Sequence, residues 1–308
     1  MISLSRLAPT SVFAPVLRLA LLPAIGLSIA VAAVMPSRAT EGTAVFADKS
    51  RIAAVGGSIT EIVYALGEQD HLVARDSTSY FPAAALKLPD VGYMRQLSPE
   101  GVLSVNPTGI LALHGSGPKE AVDVLKKTSI PFIEVPEHYD NEGILEKIRL
   151  VGKALGADAK ADALAAEVDA KLKAVEKQTA SIKERKRILF VLSMQGGKIL
   201  AAGSDTAANG IIKLAGGTNA VEGFSGYKQM SDEAIVTAKP DVIMMMNNAG
   251  PPTSDEELFG NPSIASTPAG TARKIIRMDG SYLLGFGPRT ADAIHELAVS
   301  LYGAQVTD

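Results

Sequence analysis

The sequence predicts an α/β protein of two lobes, each with a central sheet of parallel type, joined by one long interdomain helix. Three observations predict it. Strand-like apolar runs alternate with helical segments in both halves of the chain. A stretch without Gly or Pro, from Ala157 to Ile182, separates the halves. A helix–turn–strand pattern also recurs: Ser98, Glu100 and Pro107 return as Ser231, Glu233 and Pro240, at one constant interval.

The first lobe opens with a strand, Arg51 to Val55. Gly56-Gly57-Ser58 turns it into a helix, Ile59 to Leu66, closed by Gly67. Gly109 to Leu113 reads as the next strand, His114 to Pro118 as its loop, Lys119 to Lys127 as a helix and Pro131 to Val135 as a strand. The Ala-, Lys-, Glu- and Asp-rich stretch from Ala157 to Ile182 reads as one amphipathic helix, roughly 38 Å long at 1.5 Å per residue. The second lobe repeats the alternation: strand Arg187 to Leu192, helix Ala208 to Ala215, strand Asp241 to Met246 and a last helix, Thr290 to Tyr302. The expected division is a leader at 1–39, a first lobe at 40–155, the joining helix within 156–184 and a second lobe at 185–308.

The leader is read from its chemistry. Arg6 and Arg18 precede an apolar run from Leu19 to Met35, and Pro36-Ser37-Arg38-Ala39 follows. A positive start, a short apolar core and small residues are the marks of a secretory signal peptide, with cleavage expected after Ala39. The run is short for a membrane span, which needs about 20 residues, and it contains Pro23 and Gly26. The expected location is therefore the periplasm.

The chain of 308 residues has no cysteine, so thiolate chemistry and disulfides are excluded. Removing residues 1–39 removes three arginines and no acid. The 30 basic and 33 acidic side chains become 27 and 33, a charge of −6 with histidines neutral. That balance argues against nucleic acid as a partner.

No catalytic constellation stands out. His71, His114, His138 and His295 show no H-E-x-x-H spacing. His295 falls inside the last helix and reads as structural. His114 follows a strand end, where ligand-contacting loops of α/β proteins sit. Gly56-Gly57-Ser58 and Gly196-Gly197 are turn glycines without a phosphate-loop motif, and G-x-S-x-G is absent.

Two pairs of residues remain. Glu100 and Glu233 each fall in the first turn of a helix, where the dipole favours a carboxylate. Their equivalent places on two related lobes suggest two acidic knobs for a two-fold symmetric partner with basic pockets. Tyr93 and Arg95 lie just ahead of the first of these helices, in Gly92-Tyr93-Met94-Arg95-Gln96-Leu97-Ser98-Pro99-Glu100-Gly101. Phenolate is a hard anionic donor and a known axial ligand of haem iron. Gly226-Tyr227 echoes Gly92-Tyr93 in the second lobe.

These residues carry a resemblance. The Gly92–Gly101 segment resembles the ligand segment of periplasmic haem-binding proteins of bacterial ABC importers. Ala201 to Ala208, Leu214 to Ala220 and Tyr282 to Thr290 are similar too. The general plan also resembles carriers of cobalamin and ferric siderophores, which form the alternative reading; a two-lobed α/β enzyme is the more distant one. The resemblance implies the fold of a class III periplasmic binding protein, no catalysis and little hinge motion. It implies ferric haem b in the interlobe cleft, with Tyr93 as axial ligand and Arg95 beside it as hydrogen-bond or propionate partner. Tyr227 and His114 are further candidate contacts. Glu100 and Glu233 match the knobs that dock onto a permease dimer with its ATPase, and the carrier is expected to be a monomer. Asn247-Asn248 stand where relatives often carry a basic residue, and Met194-Gln195-Gly196-Gly197 lacks the histidine some relatives have there. Five-coordinate iron is the resulting expectation.

Overall fold

The computed structural model describes residues 45–247 and 253–306. The expected leader and Asn248 lie outside the described residues.

Strands β1 (Ile52–Val55), β2 (Leu72–Arg75), β3 (Gly109–Leu113) and β4 (Phe132–Val135) form a sheet in the order β2-β1-β3-β4. Every pair in it is parallel. β1 and β3 are buried along their whole length, as central strands covered on both faces must be. Helices α1 (Gly57–Ala65), α2 (Pro99–Leu103), α3 (Lys119–Lys126) and α4 (Asn141–Ala154) connect and cover them.

Helix α5 (Asp158–Ala180) is the predicted long helix, 23 residues and roughly 34 Å. Its buried residues are Ala161, Ala165, Val168, Leu172, Val175 and Thr179, alternately four and three apart, which is one stripe. The small residues matter most. A Cβ on Gly152 of α4 would lie 2.2 Å from the Ala161 Cβ, so α4 and α5 touch nearly backbone to backbone.

The second lobe comprises β5 (Arg187–Gln195), β6 (Lys198–Ala202), α6 (Ala207–Leu214), β7 (Thr218–Asn219), β8 (Tyr227–Gln229), α7 (Asp232–Ala238), β9 (Val242–Met246), the short helices α8 (Asp255–Gly260), α9 (Pro262–Ala265) and α10 (Pro268–Thr271), then β10 (Ile275–Met278), α11 (Gly280–Leu284) and α12 (Thr290–Tyr302). Its sheet runs β10-β9-β5-β6-β8, with β7 added to β5. The β10-β9-β5 part is parallel, as expected. β6 and β8 are antiparallel additions, so this sheet is mixed. The tight Gly196-Gly197 turn that folds β5 onto β6 has both residues at positive φ.

The repeat survives in three dimensions. Ser98 caps α2 through the Gly101 N–H, and Ser231 caps α7 through the Ala234 N–H. Asn106 and Lys239, each just before the recurring proline, both take the left-handed conformation, with φ of 49° and 44°. β3 and β9 follow at matching positions.

One apolar core runs through both lobes. It includes Val55, Ile62 and Ile144 of the first and Phe190, Ile211, Met244 and Phe286 of the second, with the α5 stripe between. A second cluster, with Leu189, Val191, Ile243 and Phe259, forms within the second lobe.

The α4–α5 contact gives a direct test. Gly152→Val is expected to lower the urea midpoint, at a cost of about 1–3 kcal/mol, because neither backbone can retreat without opening the shared core.

Candidate functional site

At the C-terminal ends of the first-lobe strands, facing the second lobe, lies a cleft of about 720 Å³. That is within the ~300–1,000 Å³ of small-molecule sites, and strand C-terminal ends are where α/β folds bind ligands.

The Tyr93 loop buries every third side chain and presents those between. Val91, Met94 and Leu97 are buried, while Tyr93 and Arg95 point outward, with Tyr93 42% exposed. Backbone bonds pin it at both sides: Val91 N–H to Arg75 O, Gly117 N–H to Met94 O, and Leu97 N–H to Gly117 O. The Arg75–Asp90 ion pair at 2.9 Å, with the Gly92 N–H donating to Asp90, fixes its entry.

A second loop forms the adjoining wall. Buried Asp76 accepts from the Gly56 N–H, the Thr78 N–H and both the Thr78 and Ser79 hydroxyls. One carboxylate thus ties the β1–α1 turn to the strip that brings Ser77, Thr78 and Tyr80 to the cleft.

The opposite side comes from the second lobe: Asp205, Thr206 and Ala207 at the start of α6, Tyr227 of β8, Met246 of β9, and Ser281 and Leu284 of α11. α1 and α6 both start at the cleft, so the positive ends of two helix dipoles face a ligand and favour negative charge. Thr206 caps α6, accepting from the Asn209 N–H at 3.1 Å. The Tyr227 ring meets Phe190 edge to face, with centroids 6.5 Å apart. Tyr227 keeps 37% of its surface exposed. Burial, reinforced by the neighbouring Tyr139 and partly opposed by Arg95, pushes its phenol up to about 12. Burial thus favours the neutral phenol of Tyr227 over its phenolate.

Tyr93, Arg95 and Tyr227 thus share one cleft. His114 does not join them there. It stands in an adjoining recess with His138 and Lys213, its side chain 68% exposed and its Nδ1 2.7 Å from the Glu134 carboxylate. Glu100 and Glu233 lie outside the cleft, exposed on their helix starts. The Ser98 hydroxyl donates to Glu100 at 2.7 Å and holds its carboxyl below the ordinary range. Among the described residues no cluster of His, Asp and Glu is placed to hold a bare metal ion.

Sequence reading missed Glu137 and Tyr139, which line the cleft just after β4. It also missed the seam behind the cleft. Tyr139 meets Phe286 edge to face, with ring centroids 5.2 Å apart. Glu61 of α1 accepts from the Arg289 backbone N–H at 3.1 Å and from its guanidinium at 2.8 Å. That guanidinium lies 3.4 Å from the Phe81 ring centroid. The Tyr80 hydroxyl accepts from the Ser281 N–H and bonds Asp279. A Cβ on Gly210 would meet the Tyr139 carbonyl at 2.6 Å. The signal for the seam was present only as the Gly-Phe-Gly-Pro-Arg-Thr run, which has no partner in sequence.

Residues 52–282 match the family model described as periplasmic binding protein. A solved structure, the periplasmic haem-binding protein RhuT from Roseiflexus sp. RS-1 in apo form, is 35% identical with a TM-score of 0.78, covering 83% of this chain and 99% of that one. The periplasmic haem-binding protein BhuT in complex with two haems is 34% identical with a TM-score of 0.76, covering 82% and 98%. Among curated relatives, the vitamin B12-binding protein of Yersinia pestis is 27% identical over 197 residues, 63% of this chain and 69% of that protein.

Two outcomes follow from the geometry. Arg289→Met removes the guanidinium from the Glu61 carboxylate, 7% exposed, leaving it only the backbone N–H, and is expected to cost about 3 kcal/mol in denaturant unfolding. Alkaline titration followed by phenolate absorbance should show late-ionising tyrosines near about 12, Tyr227 and Tyr282 both being raised there. Tyr227→Phe removes one of them. Since the folded value is raised, the neutral phenol stabilises the fold below the ordinary tyrosine range, and this is lost as pH rises toward 12.

Proposed function

Because this chain belongs to the periplasmic binding protein family, we propose that it carries ferric haem b in the interlobe cleft and delivers it to an ABC permease, without catalysing a reaction. The observation that carries the reading is the placement of Tyr93: a half-exposed phenol on a pinned loop, facing a cleft whose apolar lining includes Met94, Leu113, Met246 and Leu284. The two haem-binding structures support it, being more similar over more of the chain than the vitamin B12 relative.

The residues present fit that cargo. Phenolate is a hard donor suited to ferric iron, and ligation by the metal replaces the phenol proton. Tyr93 is the proposed axial ligand, with iron five-coordinate. Apolar side chains suit the porphyrin faces. Arg95 lies beside Tyr93 and suits a propionate, an interaction the α1 and α6 dipoles reinforce. Tyr227, held neutral, is a hydrogen-bond donor to the ligand. His114 contributes at the rim of the recess. Binding leaves the lobes where the seam holds them.

Glu100 and Glu233 are the proposed contacts to a permease dimer and its ATPase, one from each of the lobes at 40–155 and 185–308, with the helix within 156–184 setting their spacing. The carrier acts as a monomer in the periplasm, after the leader is removed at Ala39. Cobalamin is the competing cargo, favoured by the vitamin B12-binding relative.

Haemin added to the purified protein is expected to give a high-spin ferric spectrum with a shifted Soret band. Tyr93→Ala should weaken binding by more than about tenfold, at least 1.4 kcal/mol. No Soret change at micromolar haemin, with cyanocobalamin bound instead, contradicts the haem reading. Glu100→Ala with Glu233→Ala should leave haemin affinity intact and impair uptake through the permease; unimpaired uptake rejects the docking role.

A further inference from the structure

Behind the cleft wall lies a buried ion pair that the haem reading does not use. Lys147 of α4 is fully buried and bonds Glu137 Oε1, with the Ser58 hydroxyl 3.4 Å from its Nζ. The Glu137 side chain is 9% exposed, and the residue lines the ligand space. It borders both the Tyr93 chamber and the recess beside it, as does Arg95. Its Oε2 accepts no hydrogen bond from the described residues.

We propose that Glu137 is a ligand-binding residue: its free oxygen shares a proton with a carboxylate of the bound ligand, and binding takes up that proton from solvent. This rests on the haem reading, whose cargo carries two carboxylates.

The surrounding charges explain why a carboxyl group would meet an anion here. Arg95 borders both spaces and Lys213 the recess, and together they draw a carboxylate in. The cations around Glu137 are Lys147 of α4, Arg95 of the Tyr93 loop and, when protonated, His138 on its own loop. His114 stands further out, paired with Glu134. The anions are Glu61 of α1, Asp140 before α4 and Asp205 before α6, with the phenols of Tyr139 and Tyr227 nearby. Burial outweighs Lys147 and pushes the Glu137 carboxyl up; the same burial pushes the Lys147 ammonium down. A ligand carboxylate arriving beside Glu137 disfavours its charged form further. One proton then bridges the two carboxyl groups, as in two acids sharing a site. Lys147 keeps Oε1 occupied, so Oε2 is left for the ligand.

Calorimetry of haemin binding at pH 7, in two buffers of different ionisation enthalpy, counts the protons exchanged. Tyr93 gives up a proton on ligation in every variant that keeps it, so the difference between variants isolates Glu137. Wild-type protein is expected to take up about one proton more than Glu137→Gln. The double variant Glu137→Gln with Lys147→Met, which leaves no unpaired buried lysine, should match Glu137→Gln. With haemin dimethyl ester, which has no carboxylate, the difference should vanish. Equal proton counts in wild type and both variants overturn the proposal, as does a difference that persists with the ester. Failure of wild type to bind haemin, seen as an unchanged Soret band, rejects the haem reading instead.

Discussion

The structure depends on the seam that locks its two lobes. Glu61 reaches out of α1 and takes both the backbone and the guanidinium of Arg289, which is stacked against Phe81. Around this pair the lobes share one apolar core, and Tyr139, Phe286 and Gly210 meet at distances that leave no room for a larger side chain. A buried ion pair alone is weak evidence for stability, since desolvation offsets much of the attraction. Its value here is positional. It fixes where α1 begins relative to α12, and hence the floor and one wall of the cleft.

From that constraint the site follows. The start of α1 and the start of α6 face the same space from opposite lobes, and their dipoles make it receptive to anions. The Tyr93 loop is held by its own buried triad, so its phenol is presented without being enclosed. Tyr227 occupies the echoing position in the second lobe, where burial favours its neutral phenol. Two lobes with one recurring sequence pattern thus place two tyrosines in one cleft. The same internal relation sets Glu100 and Glu233 on equivalent capped helices.

Much of this was legible in the sequence, and the reason is locality. Strands β1, β3, β5 and β9, helices α5 and α12, and the capped repeat are written in runs whose signal lies within a few residues. The antiparallel β6 and β8 were missed because their pairing partners decide them, and β8 is exposed along its length. The short helices α8 to α10 are capped turns of four to six residues with too little periodicity to read. Tyr93 and Arg95 were singled out by chemistry and resemblance. Glu137 and Lys147 were not, because a buried pair on the i, i+10 spacing of a loop and a helix has no sequence signature. The Glu61–Arg289 contact joins residues 228 apart and is visible only in three dimensions.

The seam requires a cleft that is preformed and keeps its shape when filled. The absence of cysteine makes this simple to test, since two can be introduced and labelled without background. Spin labels at Glu100→Cys and Glu233→Cys report the separation of the lobes by electron–electron dipolar spectroscopy, with and without saturating haemin. Superimposable distance distributions are expected. A ligand-dependent shift of more than about 2 Å in the main distance, the scale of a real domain rearrangement, contradicts a preformed cleft.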